Sequence, residues 1–244
     1  MVTNGGRARD VILGGNLTLG YGSLADAALG CGNSIQVGGA GSLLDVSSDL
    51  FVGYYGSSNR LMVNGGGLVI CGGSDLTVGN GSAADAALGR GNSVELDGVG
   101  SSLRANGRVT VGNYGSFNRL LVRTGVILSN NQGYVGYRTN SAGNLVVLEG
   151  AGSVWSNMDE LVVGYSGYAN GLVVSNGGYL YSSSGIVGRD SVASNNTVEV
   201  TGTGSVWLSD VAMTIGGSGR SNWVTVSDGG LVTVAKKPGG ALHI

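Results

Sequence analysis

An asparagine followed by an alternating apolar strand recurs eight times in this chain, at Asn33, Asn59, Asn92, Asn118, Asn144, Asn170, Asn196 and Asn222. Successive members lie 26 residues apart, with one interval of 33. A fixed period of this size is the mark of a repeat architecture, whose units are too small to bury a core alone and do so by stacking. A second feature keeps the same period: a short apolar strand closed by glycine, as in Leu17-Thr18-Leu19-Gly20, Leu50-Phe51-Val52-Gly53 and Leu161-Val162-Val163-Gly164. Each repeat has one of each, and a third apolar segment follows a glycine-rich corner. Within the strands the pattern alternates: Ile35 and Val37 flank Gln36, and Val94 and Leu96 flank Glu95. That period of two gives each strand one dry face and one wet face. Three short strands joined at Gly and Asn predict a three-sided coil, and 26 residues are too few for a four-stranded propeller blade.

Turns also alternate in kind. Odd turns carry Gly-x-Gly-Ser-x-[Leu/Trp], at Gly39–Leu44, Gly98–Leu103, Gly150–Trp155 and Gly202–Trp207. Even turns carry a glycine pair or its remnant, at Gly66-Gly67, Gly125-Val126, Gly177-Gly178 and Gly229-Gly230. From Gly112 to Gly164, and again from Gly164 to Gly216, the two-turn period is 52 residues. Two odd turns are lengthened by a loop of nearly identical text, Ala25-Asp26-Ala27-Ala28-Leu29-Gly30 and Ala84-Asp85-Ala86-Ala87-Leu88-Gly89. The expected fold is all-β: a right-handed parallel β-helix (solenoid) of about eight three-strand turns with a two-turn super-repeat, one array over residues 1–244. Its hand follows from the general preference of parallel crossovers.

The recurrent asparagines read as a structural ladder. A small amide with two donors and two acceptor lone pairs can satisfy the backbone at a bend and its counterpart in the next turn. A repeating ligand array is the alternative, but the strand alternation begins directly after each Asn and places it at a corner. The glycines read as positive-φ corners, not phosphate cradles. Val2-Thr3-Asn4-Gly5-Gly6 repeats Val174-Ser175-Asn176-Gly177-Gly178, so the chain is expected to be a segment of a longer array, prone to end-to-end self-association.

Composition narrows the function. Forty-nine glycines with one proline, lacking a three-residue period, exclude collagen, and 42% apolar residues argue against disorder. A formal net charge of −2 leaves no basic surplus for nucleic acid. Cys31 and Cys71 fall at different places in the repeat, so no disulfide is expected between them. No run approaches the length of a membrane span, and residues 1–10 hold no export signal, so any membrane attachment would belong to flanking regions.

Catalytic chemistry is sparse. His243, the one histidine, is the penultimate residue, a poor foundation for a nucleophilic triad. Paired carboxylates, as in a carbohydrate-active hydrolase or lyase, are the sharper alternative. The candidate acids are scattered, however: Glu95 and Glu199 lie four turns apart, about 19 Å, while Asp26 and Asp85 in the duplicated loops lie two turns apart, about 10 Å. The loop acids read as solvated caps. Gly72-Gly73-Ser74-Asp75-Leu76 occurs once and lacks the spacing of a calcium nonapeptide. Thr18, Thr77, Thr110 and Thr214 share an outward strand position, but Phe51, Tyr134, Val162 and Ile186 interrupt any ice-matching lattice. No catalytic residue, metal or cofactor is expected.

Seven of the ten tyrosines, Tyr21, Tyr54, Tyr55, Tyr114, Tyr137, Tyr165 and Tyr168, fall between the strand-ending glycine and the asparagine. Arg60, Arg119, Arg138 and Arg189 lie in or beside the same segment. Stacking would gather them on one long edge. Tyrosine offers an apolar face with a hydroxyl, and arginine adds fixed donors, a pairing suited to glycans or protein partners; plain corner packing is the alternative.

Gly150 to Gly188 carries Gly152-Ser153-Val154-Trp155, Val163-Gly164 and Asn176-Gly177-Gly178. In these motifs, which extend over nearly the whole chain, it resembles the β-helical repeats in passenger regions of bacterial autotransporter-type (type V secreted) surface proteins. The resemblance implies a structural or adhesive module at the cell surface or outside the cell, facing glycans or surface proteins of a host or neighbouring cell. A purely structural stalk is the plainer form of the same reading.

Overall fold

The structure, a computed structural model, describes residues 1–9, 15–26, 28–234 and 241–243. Its described residues form strands and turns with no helix, and the strands stack in parallel as a β-solenoid of about eight turns. Face A is a nine-stranded sheet of Val2–Thr3 and the eight strands that follow the ladder asparagines, among them Arg60–Asn64, Ser93–Asp97, Arg119–Arg123 and Leu145–Glu149. Pairing is in register, with Leu61, Val94, Leu120 and Val146 in one inward column. Face B carries the segments after the glycine corner, such as Leu43–Val46, Leu68–Cys71 and Ser102–Ala105. Face C carries the glycine-closed strands, such as Leu50–Val52, Leu76–Val78 and Arg108–Val111. Inward side chains of all three faces form one buried aliphatic core.

Faces B and C are distinct only where the corner between them is built of turn residues. Ser47-Ser48-Asp49 and Gly72-Gly73-Ser74-Asp75 interrupt the backbone in the early turns. In three later turns each pair of faces runs on as one bent strand: Val154–Val163, Tyr179–Val187 and Val206–Ile215. The extra corner residues are absorbed by register shifts at Asn157/Glu160 and Ser182/Ser184. The expected third strand is therefore present in every full turn, but fused with the second in three of them.

The two recurrent marks in the sequence form a single device. From Asn59 onward, each ladder asparagine presents its Oδ1 to two donors from the preceding turn, the backbone N–H and the Nδ2 of the preceding asparagine. Asn144 Oδ1 accepts them from Asn118 at 2.9 and 3.1 Å, and Asn170 Oδ1 from Asn144 at 3.1 and 2.9 Å. The link repeats from Asn33 through to Asn222. The amide needs room, and the strand-ending glycine supplies it. A Cβ on Gly112, whose φ is +79°, would lie 2.2 Å from Asn144 Nδ2. The glycine thus makes the left-handed bend and leaves the space that the amide fills.

The 52-residue super-repeat is a packing device as well. Trp155 and Trp207 are fully buried on face B of odd turns, and each leans toward the face C strand of the preceding even turn. There the inward residue is Gly133 or Gly185, where a Cβ would lie 3.0 Å from the Trp155 ring and 2.5 Å from the Trp207 ring. The indole N–H groups find acceptors in the same preceding turns: Trp155 Nε1 donates to Asn130 Oδ1 at 2.7 Å and Trp207 Nε1 to Ser182 Oγ at 3.1 Å. A buried tryptophan needs such a partner. Of the two cysteines, Cys71 is buried, which pushes its thiol up to about 12, and Cys31 is exposed; neither is in a disulfide.

Candidate binding site: a polar saddle between two tyrosine clusters

The residue after each strand-ending glycine is locked into a row by backbone hydrogen bonds to the turn before. Tyr54 N–H donates to Gly20 O, Asn80 to Gly53 O, Asn113 to Gly79 O, Tyr137 to Gly112 O, Tyr165 to Gly136 O and Arg189 to Gly164 O. The row therefore reads Tyr21, Tyr54, Asn80, Asn113, Tyr137, Tyr165, Arg189. A second row runs beside it, the outward position of face C: Thr18, Phe51, Thr77, Thr110, Tyr134, Val162 and Ile186.

Together the rows make two aromatic platforms. In the first, Tyr21 and Tyr54 stack at 5.4 Å with nearly parallel rings, while Tyr55 and Phe51 meet Tyr54 edge-on at 4.6 and 5.0 Å. Burial and the adjacent Tyr54 hold the Tyr55 hydroxyl above its ordinary pKa. In the second, Tyr137 lies 4.8 Å from Tyr134 and 4.9 Å from Tyr165. Arg138 lies over Tyr137 at 4.7 Å and reaches toward Tyr114 at 5.8 Å; Arg189 covers Tyr165 at 4.8 Å. Arg189 also pairs with Glu160, which accepts from the Tyr134 hydroxyl at 2.6 Å. Burial works to raise the Glu160 pKa, but the hydrogen bonds from Arg189 and Tyr134 and the Arg189 charge prevail and hold it below its usual value. Burial first, and then the bond to Glu160, pushes the Tyr134 hydroxyl up. This outer cluster covers Tyr134, only 5% exposed although it points away from the coil.

Between the platforms the surface is polar and concave. A cavity of about 220 Å³ is floored by Thr77 and Thr110 and edged by Asp75, Asn80, Asn113 and Arg138. Asn113 Nδ2 donates to Asn80 Oδ1 at 2.9 Å. Tyr54 and Tyr137 are three strand spacings apart in their row, about 14 Å. Such a saddle can stack flat apolar faces at either end and exchange hydrogen bonds in the middle.

One element of the site escaped the sequence reading. Asn16 Oδ1 accepts from Asp49 N–H at 3.2 Å, Asp49 Oδ1 from Asp75 N–H at 3.0 Å, and Asp75 Oδ1 from Arg108 N–H at 2.7 Å. This is a second, shorter capping ladder at the corner between faces B and C. Its signal is the Asn or Asp standing directly before Leu17, Leu50 and Leu76. Asp75, within the glycine-rich segment weighed for calcium, is thus a backbone cap and also pairs with Arg108 at 3.2 Å.

The other candidates are dispersed. Tyr168 is not in the saddle; it lines a separate cavity nearer the asparagine corner. Arg60 and Arg119 lie in one outward row of face A, across the asparagine corner from the tyrosines, and Arg60 pairs with Glu95. Glu95 and Glu199 are four strands apart on that face, while Asp26 and Asp85 cap their own loops, accepting from Ala28 N–H at 2.9 Å and Ala87 N–H at 2.8 Å. The side chain of His243 lies outside the described residues. Among the described residues no three His, Cys, Asp or Glu side chains converge as metal ligands. Comparison of the chain with protein-family models, curated proteins and solved structures gives no match, so its chemistry is read from its own side chains.

Proposed function

We propose that this β-solenoid is a stalk-like module of an autotransporter-type surface protein, and that its saddle is an adhesive site for carbohydrate. The observation that carries this reading is the order of the row Tyr54, Asn80, Asn113, Tyr137, which sets two amides between two aromatic platforms. Sugars present apolar ring faces and a rim of hydroxyls, and flat aromatics with fixed amides and guanidinium groups complement both. The positions are set by strand hydrogen bonds, so the site is organised before a ligand arrives. Binding without cleavage agrees with the Asp49 and Asp75 carboxylates, each of which holds a backbone N–H of the next turn. The surface location follows the resemblance of the repeats to secreted passenger regions.

Immobilised neutral and acidic oligosaccharides test the proposal directly. The intact chain is expected to be retained, and Tyr137→Ser to weaken retention by about tenfold, the loss of one stacked anchor. Circular dichroism should show the same β-spectrum for both. Retention unchanged by Tyr137→Ser, or release of shortened sugars by the intact chain, would contradict it.

A further inference from the structure

The two duplicated loops differ where they meet the next turns. After the loop glycine stands Cys31 in the first copy and Arg90 in the second. One turn further, directly before the ladder asparagine, stands Ser58 after the first copy and Phe117 after the second, both at positive φ (60° and 59°). Around the second loop these changes border a cavity of about 310 Å³, lined by Ala86, Arg90, Phe117, Asn140, Gly143 and Tyr168 among others.

Phe117 is unusual on two counts. A bulky side chain is costly in the left-handed region, and this one is 54% exposed. Its ring lies over Gly143, where a Cβ would come 2.7 Å from it, and the Arg90 guanidinium sits 4.9 Å from its centroid. Tyr168, 47% exposed, stands two turns along the stack from Phe117, beyond Ala142 and Gly143. The strands that carry them are about 10 Å apart, and the Phe117 ring leaning over Gly143 fills part of that distance, so that both aromatics border the same cavity. Asn140 Nδ2 donates to Ala83 O at 3.1 Å and ties the loop to this corner. The lining carries one charge, Arg90, and no carboxylate, and Arg90 has no ion pair among the described residues.

We propose that this slot is a second saccharide site, selective for a carboxylate-bearing pyranose, with the sugar packed in the cavity against the exposed Phe117 and Tyr168 rings and its carboxylate on Arg90. It extends the reading of the outer surface as glycan-binding, but it stands on different residues and a different cavity. A guanidinium beside an aromatic face, unopposed by an acid, is the complement of an anionic sugar.

The test is calorimetric titration of the full chain with trigalacturonate and with its neutral counterpart, galactotriose. The intact chain should prefer trigalacturonate, and Arg90→Gln should erase the preference. Phe117→Gly should weaken trigalacturonate binding by about tenfold while the melting temperature stays the same or rises, because glycine is at ease at positive φ. Equal affinity of the intact chain for both sugars, or unchanged binding by Phe117→Gly, would overturn the slot. Binding lost in Tyr137→Ser but kept in Phe117→Gly would also overturn it, leaving the saddle in place. The converse would keep the slot and remove the saddle.

Discussion

At the scale of single residues, the ladder concentrates stability where the sequence looks most repetitive. Asn144 accepts two hydrogen bonds from Asn118 and donates to Gly115 O, Ser141 Oγ and Asn170 Oδ1, all in a buried corner. Asn144→Ala should therefore cost about 1–3 kcal/mol by stranding those groups. Asn33 is exposed; its side chain donates to Cys31 O at the surface and to Asn59 Oδ1, which also accepts the Asn33 backbone N–H and keeps that partner when the side chain is removed. Asn33→Ala should cost under about 0.5 kcal/mol. Urea melts of the two variants check the difference, and equal losses would show that burial of the amide is not what makes the ladder matter. The asparagines could be recognised from spacing alone because a stacking device must recur at the stacking period. The capping ladder of Asn16, Asp49 and Asp75 was harder to see, because it spans only three turns and two residue types.

At the scale of strands, tryptophan and glycine are coupled across turns. Trp207 occupies the volume that a side chain at position 185 would need, so Gly185→Val should be strongly destabilising, by about 2–4 kcal/mol from overpacking. Trp207→Leu, like the leucine or valine found elsewhere in its column, should recover part of that loss in the double variant. Thermal melts of the two single variants and the double variant measure the coupling, and additive losses would refute it. The two-turn period was legible in the sequence, and Trp155 and Trp207 stood out in it. Their glycine partners did not, since Gly133 and Gly185 look like any other turn glycine until the neighbouring strand is placed. The fused strands were hidden for a similar reason: whether a corner bends or breaks depends on how its residues pack against two neighbouring turns.

For the whole molecule, the solenoid converts positions in sequence into rows along a rod, and rows make the surface chemistry. Gathering of the tyrosines could be foreseen from their shared place in the repeat, but their division into two platforms could not. That division arises because Asn80 and Asn113 hold the row positions between them, and because Tyr134 joins from face C. Arg60 and Arg119 read as neighbours of the tyrosines by number, yet the bend at the asparagine turns them onto face A. Contact between the saddle and sugar can be measured along the whole rod. A titration of the isotope-labelled chain with neutral and acidic oligosaccharides, followed by amide NMR shifts, reads every row at once. The expected result is movement of the Asn80 and Asn113 side-chain amides and of the backbone at Asn113, Tyr114 and Tyr137, while the buried ladder amides at Asn118 and Asn144 stay fixed. Saddle signals that remain still up to millimolar sugar, while the protein keeps its dispersed spectrum, would contradict a carbohydrate-binding role for this edge and leave the molecule a plain stalk.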